Sequence, residues 1–406
     1  MTATANPPIG RVTLVTLTSL VAMGPLSTDF YLPALPSIAK YFNVAEAHAQ
    51  ATLSAFLIGF AGAILIYGPL SDRFGRRPVL AGGIVIFTLA SLGCMLSDSI
   101  GMLVLFRFLQ ALGACAGPVI SRAMVRDLVG ASGAARVFSY LSAAVALAPA
   151  IAPIIGGFLA DAFGWRACFA ALTLYGAGGL VAVFVVLKET NTQRDMTAAN
   201  PLNWFRIYGE LVKHRGYFGY VLAATFGYSG IFCFISGSSF VFIDVLGVPP
   251  RYFGFCFGVF VIGYIIGATS GGKLSKQLSA SQLVGLGSVI ALLSALALVV
   301  INLIAPASVW TVLAPLLPYM VGVGMTLPAA QAGAIGPFPR SAGAASALLG
   351  FVQMAVAAGI GAILGLIGSP SPMPMTLMIA GTGVAQIACY WWIIQPEDAL
   401  GRSEPA

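Results

Sequence analysis

The stretch GPLSDRFGRRPVL, Gly68 to Leu80, places Asp72, Arg73, Arg76 and Arg77 close together between two long apolar runs. These charges stand out because the surrounding chain is so poor in them. Of 406 residues, 59% are hydrophobic and only 8% are charged, whereas a soluble domain carries roughly 25%. Outward from Gly68 in both directions the apolar runs recur, each near the roughly 20 residues that cross a bilayer core as a helix. The candidate spans are 12–32, 49–70, 78–97, 100–122, 135–159, 167–187, 216–242, 252–271, 282–303, 309–331, 342–366 and 374–395. A membrane β-barrel needs short segments of alternating hydrophobicity, and these runs are continuous. The expected fold is an all-α polytopic membrane protein with about twelve transmembrane helices.

The net charge of +7 resides in connections that alternate between basic and nearly uncharged. Arg11, Arg73, Arg76, Arg77, Arg122, Arg126, Arg136, Lys188, Arg194, Arg206, Lys213, Arg215, Lys273, Lys276, Arg340 and Arg402 fall on one side. Only Lys40, Arg166 and Arg251 fall on the other. The positive-inside rule assigns the basic side, both termini and the long central connection to the cytoplasm. Basicity is therefore a topology signal, and no nucleic-acid partner is expected. The opening MTATANPPIGR has no basic cluster ahead of a short apolar core, so the first span is expected to be retained, not cleaved. Cys94, Cys115, Cys168, Cys233, Cys256 and Cys389 are scattered through the spans without a CxxC pair, and His48 and His214 are far apart. No metal site and no catalytic cluster is expected from them. Gly267 to Leu274, GATSGGKL, nearly spells a phosphate loop. It has Leu274 where the hydroxyl should be and no strand before it, so ATP is not expected to be the energy source.

The longest polar connection, Lys188 to Arg215, divides the spans into two sets of six. The expected domains are a first six-helix bundle over 1–187, a linker over 188–215, and a second bundle with a short tail over 216–406. Late in the linker, Trp204, Ile207, Tyr208 and Leu211 recur at helical spacing against Arg206, Glu210 and Lys213. That pattern suits a short amphipathic helix along the membrane or an irregular loop with scattered aromatics. The halves echo each other. Gly68-Pro-Leu-Ser returns as Gly272-Lys-Leu-Ser, and Ser132-Gly-Ala-Ala as Ala342-Gly-Ala-Ala. Two pseudo-symmetric six-helix halves around a mid-membrane site is a transporter plan.

At this point the residues carry a specific resemblance. GPLSDRFGRRPVL is similar to the loop signature between the second and third helices of the major facilitator superfamily, G-x-L-[A/S]-D-[R/K]-x-G-[R/K]-[R/K], with every defining position matched. The resemblance implies a cytoplasmic gate. Gly68 would let the second helix approach the eleventh. Asp72 would face the N-terminal end of the eleventh helix near Ala342. Arg73 would pair with Asp127, Arg76 and Arg77 would anchor the loop at the anionic leaflet, and Gly75 belongs to the same motif. Topology alone would explain the arginines, but not Gly68, Asp72 or Gly75.

Asp29 lies in MGPLSTDFYLPALP, and a carboxylate inside a membrane marks function by default. The run Asp29, Tyr31, Leu32, Pro33, Ala34 and Pro36 resembles the twelve-helix drug:proton antiporter branch, nearest to the Bcr/CflA subfamily of bicyclomycin and phenicol exporters. That resemblance makes Asp29 a proton-coupling acid; a helix-end acid already in water is the bland alternative. Arg107, in RFLQALG, resembles the fourth-helix motif linked to proton transfer, with Ala111 where the pattern has Gly. Pairing with backbone carbonyls is the competing role. Gln110 is a polar partner or interhelical glue. In the fifth span, Pro149 and Pro153 share a face and would kink the helix. With Gly156 and Gly157 they resemble the antiporter motif, whose other glycines are here Ala148 and Ala152.

The expected substrate cavity draws on Tyr31, Gln110, Tyr228, Phe232, Phe234, Ser236, Gln331 and Gln353. Such a surface is aromatic with few fixed charges and suits bulky, weakly polar compounds. What the resemblance implies is a secondary transporter, not an enzyme: a monomer in the bacterial inner membrane that exports small hydrophobic drugs in exchange for protons. It would use the proton gradient and no cofactor. A proton-coupled metabolite carrier of the same fold is the alternative.

Overall fold

The computed structural model describes residues 10–192 and 201–396, with the backbone alone at 131–136, 139, 143–144, 201–205 and 340. The middle of the expected linker (193–200, including Arg194) and the tail with Arg402 lie outside the described residues. So do the side chains of Ser132, Arg136, Trp204 and Arg340.

The described chain is helical, with no strand. In order the helices are α1 (Arg11–Val21), α2 (Met23–Asp29), α3 (Leu35–Phe42), α4 (Glu46–Phe74), α5 (Arg76–Met95), α6 (Ile100–Ala114), α7 (Ala116–Phe163) and α8 (Trp165–Val186). There follow α9 (Pro201–Lys213), α10 (Arg215–Ser239), α11 (Pro250–Leu274), α12 (Ala280–Ile304), α13 (Val309–Ile335), α14 (Ala342–Ile367) and α15 (Met373–Cys389). Among the described residues, 11 helical stretches are long and apolar enough to cross a membrane, and 12 if the bent pair Arg11–Val21 and Met23–Phe42 is one span.

The expected spans fall on these helices, with two differences. The first continues to Phe42 across a 44° bend between Val21 and Met23, just before Pro25, which has no N–H to carry the hydrogen-bond ladder on. The fourth runs on to Gly130, whose φ of 69° breaks α7 and turns the chain back toward the fifth span. After that break the helix continues through Pro149 and Pro153, the residues expected to kink it, with helical backbone angles at both.

Hydroxyl caps fix several helix starts. Ser279 and Gln282 form a reciprocal capping box on α12, and Ser308 with Thr311 does the same on α13. The helices then pack by small residues, as membrane helices do when no hydrophobic gradient drives them together. A Cβ on Gly59 would lie 2.6 Å from the Phe108 carbonyl oxygen, and one on Gly263 would lie 2.6 Å from that of Leu317. A Cβ on Gly113 would lie 2.5 Å from the Gly83 oxygen, and one on Gly322 would lie 2.5 Å from that of Gly287. The second glycine of each pair repeats the first 204 positions on (59 to 263, 83 to 287) or 209 on (113 to 322). The same helix-to-helix contacts are thus made twice, by two sequence-related halves.

Across the halves, α4 packs along α14 and α7 along α11. These seams are tight toward one end. Ser54 Oγ donates to the Ala358 oxygen at 3.1 Å and Ser236 Oγ donates to Gln50 Oε1 at 2.9 Å. Lys40 pairs with Asp244 at 2.6 Å and Arg251 with Asp161 at 3.8 Å. Further along α4, Gly350 still meets Ile64, but a Cβ on Gly68 would find nothing within 4 Å, nor would one on Gly343 or Gly272. The halves are joined at the Lys40 end and part toward the Gly68 end.

The amphipathic helix expected late in the linker is present as α9, but its apolar face is not given to lipid. Ile207, Tyr208 and Leu211 pack with Tyr217, Ala345, Leu348 and Phe338 of the second half.

Candidate functional site

The joined seam carries the buried acid. Asp29 ends α2 and is 2% exposed. Its Oδ1 accepts from Thr28 Oγ1 at 2.9 Å, and Tyr228 of α10 stands within its electrostatic reach.

Arg107 is 0% exposed, and among the described residues no carboxylate pairs with it. One Nη donates to the Ser27 carbonyl oxygen at 2.9 Å, two residues before Asp29, and also to Gln110 Oε1. Gln110 Nε2 donates on to Ser91 Oγ at 2.7 Å, and Ser91 donates to the Phe87 oxygen at 2.7 Å. A buried cation needs compensation, and aromatic faces supply it: Tyr31 at 4.3 Å, Phe56 at 4.4 Å and Phe169 at 6.0 Å from the guanidinium carbon. Its Nε and second Nη have no hydrogen-bond partner. Carbonyl pairing and a place beside the acid are therefore the same arrangement: Arg107 holds the turn that presents Asp29.

Of the residues expected to line the cavity, Tyr228 is half-buried and Gln331 is exposed. The rest are engaged in packing. Tyr31 is fully buried, with its hydroxyl 2.9 Å from Thr52 Oγ1, and Gln110 is held between Arg107 and Ser91. Phe232 packs on Gly361, and Phe234 stacks on Phe260 at 4.3 Å inside a phenylalanine cluster. Ser236 is spent on Gln50, and Gln353 Nε2 donates to the Ala224 oxygen at 3.2 Å. None of those six lines the cavity of about 470 Å³ that opens between α1, α2 and the part of α7 after Gly130, which is lined by Leu14, Val15, Thr18, Ser19, Ala22, Leu26, Tyr140 and Leu147. Its lining is almost wholly apolar, and Leu26 stands one turn before Asp29. Residues of this kind give no sequence signal, because aliphatic side chains are as common against lipid.

Gly156 and Gly157 serve the joined end. A Cβ on Gly156 would collide with the Phe30 carbonyl, and one on Gly157 with that of Pro250 across the seam.

At the parted end the motif is assembled differently from expectation. Asp127 pairs with Arg76, not Arg73: Arg76 Nε lies 3.0 Å from Asp127 Oδ2 and its Nη1 2.5 Å from Asp72 Oδ1. Asp72 is thus engaged within its own half. Arg73 lies over the Phe74 ring at 5.1 Å, and its Nε is buried without a partner. The turn explains the exchange. Gly75, at a φ of 100°, ends α4 and starts α5, and Arg76 at the head of α5 reaches both Asp72 at the end of α4 and Asp127. Arg77 is not left to lipid either, since its Nη2 donates to the Phe184 oxygen at 2.7 Å and closes the end of α8. Gly68 makes no close approach here: a Cβ on it would meet nothing within 4 Å. One further residue holds the loop, Glu189, which the sequence did not single out; an acid at the edge of a linker reads as solvated.

The Major Facilitator Superfamily matches residues 17–362. The chain is 33% identical to the "Uncharacterized MFS-type transporter YdgK" of Bacillus subtilis (strain 168), covering 92% of this chain and 93% of that one. It is 32% identical to "Multidrug resistance protein D" of Escherichia coli (strain K12), covering 93% and 94%. It is 29% identical to a "Bicyclomycin resistance protein homolog" of Haemophilus influenzae (strain ATCC 51907 / DSM 11121 / KW20 / Rd), covering 94% and 95%. Among solved structures, a D-xylose-proton symporter superposes with a TM-score of 0.73 at 16% identity, over 95% of this chain and 98% of that one. That likeness carries the fold alone.

Proposed function

The chain belongs to the Major Facilitator Superfamily of membrane transporters, and on that premise we propose that it exports small, mostly apolar compounds in exchange for protons by alternating access. The observation that carries the proposal is Asp29, a carboxylate buried in the bundle and one turn from Leu26 of an apolar cavity. An acid in that position can hold a proton in one state and release it in the other, while drug and proton compete for the same region. Arg107 acts by holding the Ser27 turn, and the paired ends of the bundle act as alternating gates. Relatives named for bicyclomycin and multidrug resistance support drugs as the substrate class.

The working protein is a monomer of two bundles, 1–187 and 216–406, joined by the 188–215 linker. It sits in a bacterial inner membrane with both termini in the cytoplasm, as the basic connections favour. On that orientation the parted end faces the cytoplasm. The proton gradient supplies the energy.

The test uses a drug-sensitive bacterial host lacking its own exporters. Wild type and Asp29→Asn are compared for survival and intracellular accumulation of phenicols, sulfonamides and bicyclomycin, with and without a protonophore. The expected result is protonophore-sensitive exclusion of at least one compound, lost in Asp29→Asn at equal expression. No exclusion of any compound by well-folded protein would reject drug export and favour a metabolite carrier.

A further inference from the structure

The α4–α5 turn is held by an acid more than a hundred positions away. The first N–H groups of any helix lack intrahelical acceptors and carry the positive end of its dipole. In α5 the cap position is Gly75, which offers no side chain, and the first turn contains no acid. Glu189 supplies what is missing. Arg76 N donates to Glu189 Oε1 at 2.9 Å and Arg77 N to Oε2 at 3.1 Å. The carboxylate is itself oriented by the amides of Thr190 and Asn191, at 2.9 Å and 2.8 Å.

The residues after Glu189 extend the clasp. Thr190 Oγ1 donates to Asp127 Oδ2 at 3.0 Å, the same oxygen that Arg76 Nε reaches. Asn191 Nδ2 donates to the Asp72 backbone oxygen at 2.8 Å. Gly75 gains a second reason for being glycine. Beyond its φ of 100°, a Cβ there would stand 2.6 Å from Glu189 Oε2.

We infer that Glu189 is a positioning residue of the gate. By capping α5 and ordering Thr190 and Asn191, it fixes the fork of Arg76 between Asp72 and Asp127, so that turn, α7 and the start of the linker move as one piece when this end opens and closes. The inference rests on the transporter reading for its consequence, though not for the clasp itself.

Two measurements on the full chain separate these. Amide hydrogen exchange of the purified protein in lipid nanodiscs, with no substrate present, reads the clasp. In Glu189→Ala the first turn of α5 should exchange about tenfold faster, as expected for loss of charge-assisted hydrogen bonds. The Lys40 end should not change. Gly75→Ala should reproduce the effect, and the double variant should be no worse than either single one. Export of chloramphenicol by the same variants reads the consequence: maximal rate should fall about tenfold while the half-saturating concentration changes little, with Glu189→Gln between wild type and Glu189→Ala. Unchanged exchange in Glu189→Ala would overturn the inference. So would faster exchange with an undiminished export rate, which would leave Glu189 as a helix cap and nothing more. If the wild type exports nothing, the function reading fails and the exchange measurement alone decides the clasp.

Discussion

Arg107 and Asp29 are both buried charges in a membrane helix bundle, and they are accommodated in different ways. Arg107 takes its compensation from carbonyl, amide and ring faces on α2, α4, α6 and α8. Lysine cannot copy that planar fork, so Arg107→Lys is expected to fold yet lose most export. Equal membrane abundance with at least about tenfold lower drug exclusion would bear this out; full exclusion would mean that charge alone suffices. Glu189, outside the membrane-spanning helices, faces Arg76 and Arg77, with Asp127 beyond Thr190. Burial works against its ionisation, but the amides of Asn191, Arg76, Arg77 and Thr190 outweigh this and hold its pKa below the ordinary value of 4.5. A carboxyl depressed in the folded state stabilises it above the unfolded pKa, and that contribution is lost as pH falls through the folded one. Protection of the Arg76 and Arg77 amides, corrected for intrinsic exchange, should therefore stay level from about pH 8 to 5 and fade only below about 4.3. Loss of protection near neutral pH would contradict a clasp made by this carboxylate.

Among the helices, α7 carries the greatest range of duties. Before Gly130 it supplies Asp127 to the motif; after it, Gly156 and Gly157 lie against Phe30 and Pro250 at the opposite end. A side chain at Gly157 must push the seam apart, because the obstacle is the Pro250 backbone of the other half. Gly157→Val should therefore disfavour the joined arrangement at the Lys40 end. The readout is cross-linking of a Lys40→Cys/Asp244→Cys pair by a short bifunctional thiol reagent, efficient in the parent and reduced by Gly157→Val. Undiminished cross-linking would show that the seam tolerates the added bulk. The ion pairs themselves contribute little, since Lys40 is 73% exposed and surface pairs are worth roughly 0–1 kcal/mol. The resemblance marked the Gly156–Gly157 segment; the partner backbone it needs room for was invisible without the fold. Likewise α9 was legible as amphipathic from Ile207, Tyr208 and Leu211, but the surface it covers was misread as lipid.

Over the entire bundle, the repeated glycine contacts predict paired sensitivity. Gly83→Val and Gly287→Val should each lower the thermal midpoint in detergent, since added bulk in a packed core costs roughly 1–3 kcal/mol. Gly82→Ala, with open space around it, should not. Equal tolerance at all three positions would mean that the close packing of the halves is not what holds them. The spans, the two halves and the charged Gly68–Arg77 motif could be read from the chain because each is a local property: a run of apolar residues long enough for a bilayer, a period, a short string of charges. Asp29 and Arg107 could be marked for the same reason, as charges where none should be. Which arginine meets Asp127, what Glu189 caps, and which rings Phe234 packs against are pairings between distant parts of the chain. They depend on helix rotation and on where the halves touch. Those quantities arise only when side chains from different helices compete for the same space, and hydropathy carries no trace of them.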